Sequence, residues 1–133
     1  MSGESARHRL LVESLVEVIE RRHQGMRSVV IFADHHRFGF ELPPTIGCFT
    51  PDVFASDVPA TFHLIGEAKT RDDLETERSR RQLMAFLDHL SLHPPSALLI
   101  AVPFNVAPRA RHLIRSMRRQ EHESVVVEIL PFV

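Results

Sequence analysis

The sequence is poor in several residue types that often mark a class of protein. It has a single cysteine, Cys48, no tryptophan, no tyrosine and only five glycines among 133 residues. One cysteine cannot form an internal disulfide, which argues against a disulfide-stabilised secreted domain. No apolar run approaches the roughly 20 residues of a membrane-spanning helix, and the first ten residues lack a signal-peptide type of apolar stretch. We therefore expect a cytoplasmic protein with no membrane partner.

Charge of either sign is not in large excess. The formal net charge is −1 at pH 7, so the chain as a whole has no strong attraction to nucleic acid or to a membrane surface. The hydrophobic content of 44% and the charged content of 25% are those of a globular protein. The length is that of one ordinary domain, so we expect residues 1–133 to form a single domain.

Lysine is the other scarce residue. Fifteen of the sixteen basic residues are arginine, and the only lysine is Lys69, two residues after Glu67 in an otherwise apolar segment. Lysine differs from arginine in that it is a compact point charge on a flexible stem, and its pKa can be lowered. The composition therefore suggests a chemical task for Lys69, against the alternative of an ordinary ion pair at a sheet edge.

Hydrophobic periodicity predicts an α/β protein. Apolar residues at helical spacing predict an amphipathic helix over 4–22, and β-branched or apolar runs predict strands over 28–33, 51–55 and 61–69, with 38–42 as a hairpin candidate. Asp72 and Glu75 form a capping-box pattern for a helix over 73–92. A strand over 96–104, a helix over 106–120 capped by Asn105, and a last strand over 124–132 complete the chain. This order predicts an antiparallel meander followed by a right-handed βαβ crossover, and hence a mixed β-sheet flanked by helices on both faces.

Two carboxylates are expected near Lys69. Because side chains alternate along a strand, Glu67 and Lys69 point to the same side, with their Cα atoms ~6.6 Å apart. Antiparallel pairing through the 56–60 loop would bring Asp52 beside them. Two converging carboxylates repel each other, and either a hard cation such as Mg²⁺ or pairing with Lys69 would relieve that repulsion.

These residues resemble a known motif. Pro51-Asp52, fourteen intervening residues and Glu67-Ala68-Lys69 resemble the PD-(D/E)XK motif of the restriction-endonuclease-like nuclease superfamily. The predicted order over about residues 4–104 resembles the αβββαβ core of that superfamily, here with an extra C-terminal helix and strand.

The resemblance implies Mg²⁺-dependent hydrolysis of phosphodiester bonds in DNA, with Mn²⁺ as a substitute metal, by a restriction-like or junction-resolving enzyme. RNA stays open as a substrate. It also implies that Asp52, Glu67 and the carbonyl of Ala68 hold the metal, while Lys69 positions the attacking water. A homodimer would explain cleavage of both strands.

Two helices are expected to complete the site. Proteins of this kind often carry a Gln on the helix after the E-x-K strand, a place that Gln82 matches, with a plain exposed position as the alternative. They also often carry a Glu or His on the first helix. Glu4 and His8 lie on its apolar stripe and are the candidates, whereas Glu13, Glu17 and Glu20 lie opposite the stripe and should face solvent.

Five arginines are candidate phosphate contacts: Arg78, Arg81, Arg109, Arg115 and Arg118. The alternatives are a solvated helix face and, for Arg78, an ion pair with Glu75. The adjacent His35 and His36 do not have the spacing of a tetrahedral zinc site. His63 shares the strand face of Glu67 and either supports the site or is plain strand surface.

Two other functions stay open. One is a nuclease-like module that no longer cuts and instead binds nucleic acid or a protein partner, which the weak basic balance favours. The other is a metal enzyme that acts on a different phosphoester.

Overall fold

A computed structural model describes residues 5–24, 29–35, 41–58 and 60–133. Within these ranges the chain forms three α-helices, five β-strands and two short 3₁₀ helices, Phe104–Val106 and Gln120–His122. The main elements, in chain order, are α1 (Ala6–Arg22), β1 (Val30–Ala33), β2 (Val53–Ser56), β3 (His63–Ala68), α2 (Glu77–Ser91), β4 (Ser96–Pro103), α3 (Ala107–Met117) and β5 (Val125–Phe132). The predicted α/β class is confirmed. No helix in the described part of the chain is both long and apolar enough to cross a membrane.

The five strands form one mixed sheet in the order β1-β2-β3-β4-β5. β1, β2 and β3 pair antiparallel, whereas β3, β4 and β5 pair parallel. β3 is therefore the central strand, with an antiparallel neighbour on one side and a parallel neighbour on the other. The meander and the parallel crossover expected from the sequence are both present.

The sheet separates two apolar layers. One layer contains α1 and its buried residues Leu11, Val12, Leu15, Val16 and Ile19. The other contains the buried faces of α2 and α3, among them Phe86 and Leu113. β4 contributes to both layers, because Leu98 and Ile100 belong to one and Leu99 and Ala101 to the other. This explains the continuous apolar run of β4, which is typical of a strand covered on both faces.

Helix α2 begins later than the sequence predicted. Thr76, not Asp72, is its N-cap, and the side chain of Thr76 accepts a hydrogen bond from the backbone N–H of Ser79. Residues 71–75 form turns instead, and Leu74 within them is almost fully buried. The capping-box prediction was wrong because burial of Leu74 stabilises a loop where local propensity favoured a helical turn.

The expected cap of α3 is also absent. Asn105 lies inside the 3₁₀ helix that precedes α3, and no side chain caps the helix itself. Pro108 is in the first turn of α3, as predicted. The hairpin candidate 38–42 falls largely on residues 36–40, which lie outside the described residues. Its last two positions, 41 and 42, are not in a strand.

Gly66 of β3 leaves no room for a side chain beneath α1. A Cβ atom at this position would lie 2.7 Å from Cδ2 and 3.0 Å from Cγ of Leu15, and 3.3 Å from Cβ of Val53. Leu15 and Val53 are completely buried, so neither can move aside without disturbing a close-packed layer. The glycine therefore allows α1 to pack directly on the sheet.

We predict that Gly66→Ala lowers the free energy of unfolding by about 1–3 kcal/mol, as overpacking usually does. Urea denaturation measures this loss. Leu15→Ala removes the Cγ and Cδ2 atoms that a Cβ at position 66 would meet. The double variant should therefore lose less stability than the sum of the losses of the two single variants. Strictly additive losses, or a Gly66→Ala protein as stable as wild type, would contradict this account.

Candidate active site

The pairing of β2 with β3 brings the two predicted carboxylates together. Val53 is opposite Gly66 in the antiparallel register, so Asp52 and Glu67 are the next residues to face each other. The backbone N–H of Asp52 donates to Oε1 of Glu67 at 3.0 Å. The backbone N–H of Ala68 donates to Oδ2 of Asp52 at 2.8 Å. Each carboxylate is thus held by the backbone of the other strand.

Lys69 lies directly beside these carboxylates. Its Nζ is 3.3 Å from Oε2 of Glu67, and it donates a hydrogen bond to Oε1 of Gln82 on α2. Asp52, Glu67 and Lys69 expose only 8%, 3% and 5% of their surface, so this is a buried cluster. The alternative interpretation places an ordinary Lys69–Glu67 ion pair at a sheet edge. In the structure this pair lies at the end of the central strand instead.

Gln82 is not the exposed helix residue of the alternative interpretation. It is buried, and its amide oxygen faces the lysine. The thirteen-residue spacing from Lys69 to Gln82 is short enough for α2 to return over the end of β3. The structure therefore brings Gln82 into the cluster where the sequence placed it.

The first helix also reaches the cluster. Nε2 of His8 lies 3.3 Å from Oδ2 of Asp52, although α1 covers the opposite face of the sheet. The contact is possible because Asp52 immediately precedes β2, where the sheet ends. Glu4, the other candidate on this helix, lies outside the described residues.

Of the three glutamates of α1 that were predicted to face solvent, one does not do so fully. Glu17 and Glu20 are exposed, but Glu13 is half-buried. Its Oε2 lies 3.0 Å from Nε2 of the buried His35. His35, which follows β1, reaches this side of α1, and a helical-wheel argument alone does not reveal that contact. His36 lies outside the described residues.

The cluster lines a cavity of about 270 Å³. Polar side chains from the 70–76 loop and the start of α2 also line it, and sequence reasoning missed them. These are Asp73, Thr76 and Ser79, together with Thr50 before β2. Ser79 is buried, and its Oγ donates to the carbonyl of Asp73 at 2.6 Å. The run of polar residues after Lys69 is the sequence feature that could have indicated these lining residues. The predicted helix over 73–92 hid it, because residues 71–75 form a loop over the site.

Glu67 is the most perturbed acid of this cavity. Burial, followed by the nearby negative charge of Asp52, raises the pKa of the Glu67 carboxyl to about 8, and the positive charge of Lys69 opposes this only in part. A carboxyl in this condition gains from any further cation placed beside it. Strongly perturbed groups in a cleft are characteristic of functional sites, although structural ion pairs produce them as well.

The donor atoms around the cavity fit a hard divalent cation. Asp52 and Glu67 offer carboxylate oxygens, and Ala68 between Glu67 and Lys69 offers a backbone carbonyl. Both contacts of Asp52 described above use Oδ2, so its second oxygen takes part in neither. Two carboxylates with several waters are a usual set for Mg²⁺, which gives up its hydration shell reluctantly.

Of the predicted phosphate contacts, Arg78 lines this cavity. Its guanidinium lies over the ring of Phe49, 5.5 Å from the centroid. The alternative pairing with Glu75 is made by Arg109 instead, whose Nε is 3.1 Å from Oε1 of Glu75. Arg109 thus lies beside the loop over the site, with its charge already paired.

The other three predicted arginines lie elsewhere. Arg81 and Arg118 line a separate cavity at the C-terminal end of α3, and Arg115 lines a third with Arg118. Arg118 donates to the carbonyls of His122 and Val125 at 2.7 and 2.6 Å. That side chain therefore holds the connection from α3 to β5, and the structure does not bring these three arginines to the candidate active site.

We predict that the contribution of Glu67 to the stability of the metal-free protein is lost as the pH rises. The folded protein keeps a proton on Glu67 that the unfolded chain releases above about pH 4.5, so the stabilisation is complete below that pH and is lost as the pH rises through about 8. Glu67→Gln cannot lose this proton. Between about pH 5 and about pH 9 the difference in free energy of unfolding between Glu67→Gln and wild type should shift in favour of Glu67→Gln by up to about 4 kcal/mol.

Chemical denaturation in the presence of a chelator measures this difference. Glu128→Gln is the matched control, because the Arg22 side chain holds the pKa of Glu128 below its ordinary value and this carboxyl has no proton to lose in that range. A stability difference between wild type and Glu67→Gln that does not change with pH would contradict the prediction.

Comparisons with known proteins add no relatives to this picture. No protein-family model, no curated protein and no solved structure matches the chain. The function is therefore argued from the geometry of the cavity.

Proposed function

We propose that this protein is a Mg²⁺-dependent nuclease that hydrolyses phosphodiester bonds of DNA. The observation that carries the proposal is the convergence of the buried side chains of Asp52, Glu67 and Lys69 in one polar cavity. These are the three side chains of the motif that the sequence resembles. Asp52 immediately precedes β2, Glu67 lies near the end of β3 and Lys69 follows β3. The fold brings the Glu67 side chain within hydrogen-bonding distance of the backbone N–H of Asp52 and close to the ammonium group of Lys69.

The fold supports the same proposal. The order α1, β1, β2, β3, α2, β4 agrees with the αβββαβ core expected of a restriction-endonuclease-like protein, and α3 and β5 form the extra C-terminal helix and strand. The carboxylates lie at the point where β2 begins and β3 ends. We infer that this core is a nuclease core in which the strand ends present the reacting groups.

Asp52, Glu67 and the carbonyl of Ala68 would hold the metal. When bound, Mg²⁺ supplies polarisation of the scissile phosphate and a lowered pKa for a coordinated water; Mn²⁺ is the natural substitute. His8 has a positioning task in this scheme, since its contact with Oδ2 fixes the orientation of the Asp52 carboxylate.

Lys69 is the proposed catalytic cation. Its ammonium group has three N–H donors, and contacts with Glu67 and Gln82 use two of them. The third can donate to an attacking water or to a phosphoryl oxygen as negative charge develops there. Gln82 holds the flexible lysine stem in one orientation, so the charge is already in place before the substrate arrives.

Arg78 is the arginine best placed to contact the phosphate backbone of a bound nucleic acid. It lines the cavity and is exposed. The near-neutral net charge means that binding must depend on this local charge and on the bound metal, not on the field of the whole protein. A homodimer would place two such sites on one duplex and account for paired cuts.

One observation favours a second function, a nuclease-like module that binds without cutting. Lys69 already contacts Glu67, and the side chains of Glu67 and Asp52 each already accept a backbone hydrogen bond, so both acidic groups have partners without a metal. DNA, RNA or a protein would then be the partner. A phosphoester other than a nucleic acid is the remaining substrate class.

We predict that Lys69→Ala lowers the rate of cleavage by about 100-fold or more, the usual range for loss of a group that acts on proton transfer. Labelled linear, branched and single-stranded DNA, and RNA, are incubated with Mg²⁺ or Mn²⁺ and the products are resolved by length. Arg115→Ala, which changes an exposed cation outside the cavity, is the matched control and should cut like wild type. Equal cleavage by wild type and Lys69→Ala would overturn the proposed role of this lysine.

We also predict that Asp52→Asn weakens Mg²⁺ binding by about tenfold or more, because Mg²⁺ affinity depends on the one or two carboxylates that ligate it. Calorimetric titration of the folded variant measures this. Glu20→Gln removes an exposed carboxylate of α1 outside the cavity and serves as the control. If wild type and Asp52→Asn bind Mg²⁺ equally well, the metal site is misassigned.

A further inference from the structure

Three histidines meet at the end of the sheet opposite the candidate active site. His63 is the first residue of β3, His89 lies in the last turn of α2, and His93 follows that helix. His63 is four residues from Glu67, about 13 Å along the strand. One ring nitrogen from each histidine lies within 4.8 Å of the other two. The sequence predicts that His63 either supports the active site or is plain strand surface, but in the structure it is half-buried and grouped with His89 and His93.

The backbone holds these histidines in register. His63 is opposite Ser96 in the pairing of β3 with β4, and its N–H donates to the carbonyl of Pro95 at 3.3 Å. The Oγ of Ser96 donates to the carbonyl of Leu90 at 2.8 Å. The end of α2 is therefore fixed over the start of β3, and the rings meet because of the fold and not because of the flexibility of their side chains.

The distances between ring nitrogens suit metal coordination. Nδ1 of His63 and Nε2 of His89 are 3.4 Å apart. Two nitrogens that each lie about 2.0–2.1 Å from one tetrahedral metal ion are separated by about 3.3–3.4 Å. The ring of His93 stacks on both partners, with centroids 4.5 Å away, and one of its nitrogens lies within 4.8 Å of a nitrogen of each partner.

His93 has the orientation common to metal-binding histidines. Its Nδ1 is 2.8 Å from the backbone carbonyl of His89. In the tautomer in which Nδ1–H donates to this carbonyl, Nε2 carries the lone pair. A second ring nitrogen bonded to a carbonyl is the usual way in which proteins fix the ring and tautomer of a ligand.

We propose that His63, His89 and His93 form a binding site for a transition-metal ion of the Zn²⁺ type, with water in the fourth position. Imidazole nitrogen suits Zn²⁺ and its neighbours in the first transition row, whereas Mg²⁺ requires oxygen ligands. The site is thus chemically distinct from the carboxylate cavity at the other end of β3.

The surroundings agree with this assignment. His93 is exposed and the other two are half-buried, so an ion can enter. Burial and the neighbouring His93 lower the pKa of His63 and of His89, which favours the neutral imidazole that binds metal. The nearby Asp57 accepts hydrogen bonds from the N–H groups of Thr61 and Phe62, so its carboxylate is occupied elsewhere.

The test is a titration of the whole, chelator-stripped chain with Co²⁺, followed by displacement with Zn²⁺. Wild type should bind one Co²⁺ with the visible absorption of a tetrahedral site, and Zn²⁺ should abolish that absorption. Removing a residue that only hydrogen-bonds to a metal ligand lowers metal affinity by about 10- to 100-fold. Removing a ligand itself should cost more, so we expect His89→Ala and His93→Ala each to bind Co²⁺ about 100-fold more weakly or worse. His112→Ala, an exposed histidine on α3, is the matched control and should bind like wild type.

Two arrangements keep this test decisive. All titrations are repeated in the Asp52→Asn background, so that binding at the carboxylate cavity cannot be mistaken for binding at the histidines; the tetrahedral absorption should be unchanged there. His93 is exposed, so His93→Ala should fold even if His89→Ala does not, and circular dichroism in chelator checks both. The proposal is overturned if wild type gives no tetrahedral absorption, if folded His93→Ala binds Co²⁺ as tightly as wild type, or if Asp52→Asn abolishes the absorption.

Discussion

The antiparallel pairing of β2 with β3 is the constraint on which the candidate active site depends. With Val53 opposite Gly66, Asp52 and Glu67 face each other and point to the same side of the sheet. A slip of one residue would send one carboxylate to the opposite face. The register is fixed by apolar packing, because Phe54 and Ile65 must enter the α2 layer while Val53 enters the α1 layer. The geometry of the cavity is thus a consequence of how the core is packed.

Burying the ionisable cluster of the candidate active site costs free energy of folding, and this cost bears on the function of the cluster. Removing a charged group from water costs several kcal/mol even in real proteins, and apolar residues of similar size are often as stabilising or more so. Here three ionisable side chains, Asp52, Glu67 and Lys69, are buried at the end of the central strand. Their hydrogen bonds offset part of the cost, but burial, followed by the negative charge of Asp52, still raises the pKa of Glu67. An arrangement that leaves charge repulsion inside a cavity is better suited to receiving a cation than to stabilising a fold.

The sequence predicted which side chains lie together in the candidate site better than it predicted the element boundaries. Strand alternation and antiparallel pairing are local rules, and they were sufficient to bring Asp52, Glu67 and Lys69 together; helical periodicity likewise placed His8 on the correct face. The start of α2 was wrong because Asp72 and Thr76 are both good cap residues, and the choice between them depends on burial of Leu74, a tertiary effect. The grouping of His63 with His89 and His93 could not be predicted from the sequence, because it is also a tertiary effect. His63 and His89 are 26 residues apart in the chain, and the pairing of β3 with β4 brings them together.

β3 and α2 each contribute to two clusters of opposite chemical character. At one end, Glu67 and Gln82 belong to an oxygen-rich cavity; at the other, His63 and His89 offer only imidazole nitrogen. Hard cations prefer the first set and borderline transition metals the second, so two different ions could occupy the protein without competing for ligands. Because the same strand and helix would be fixed at both ends, an ion on the histidines would restrict the motion of α2 relative to β3. That restriction would help to keep Gln82, and through it Lys69, in the orientation that the proposed chemistry requires.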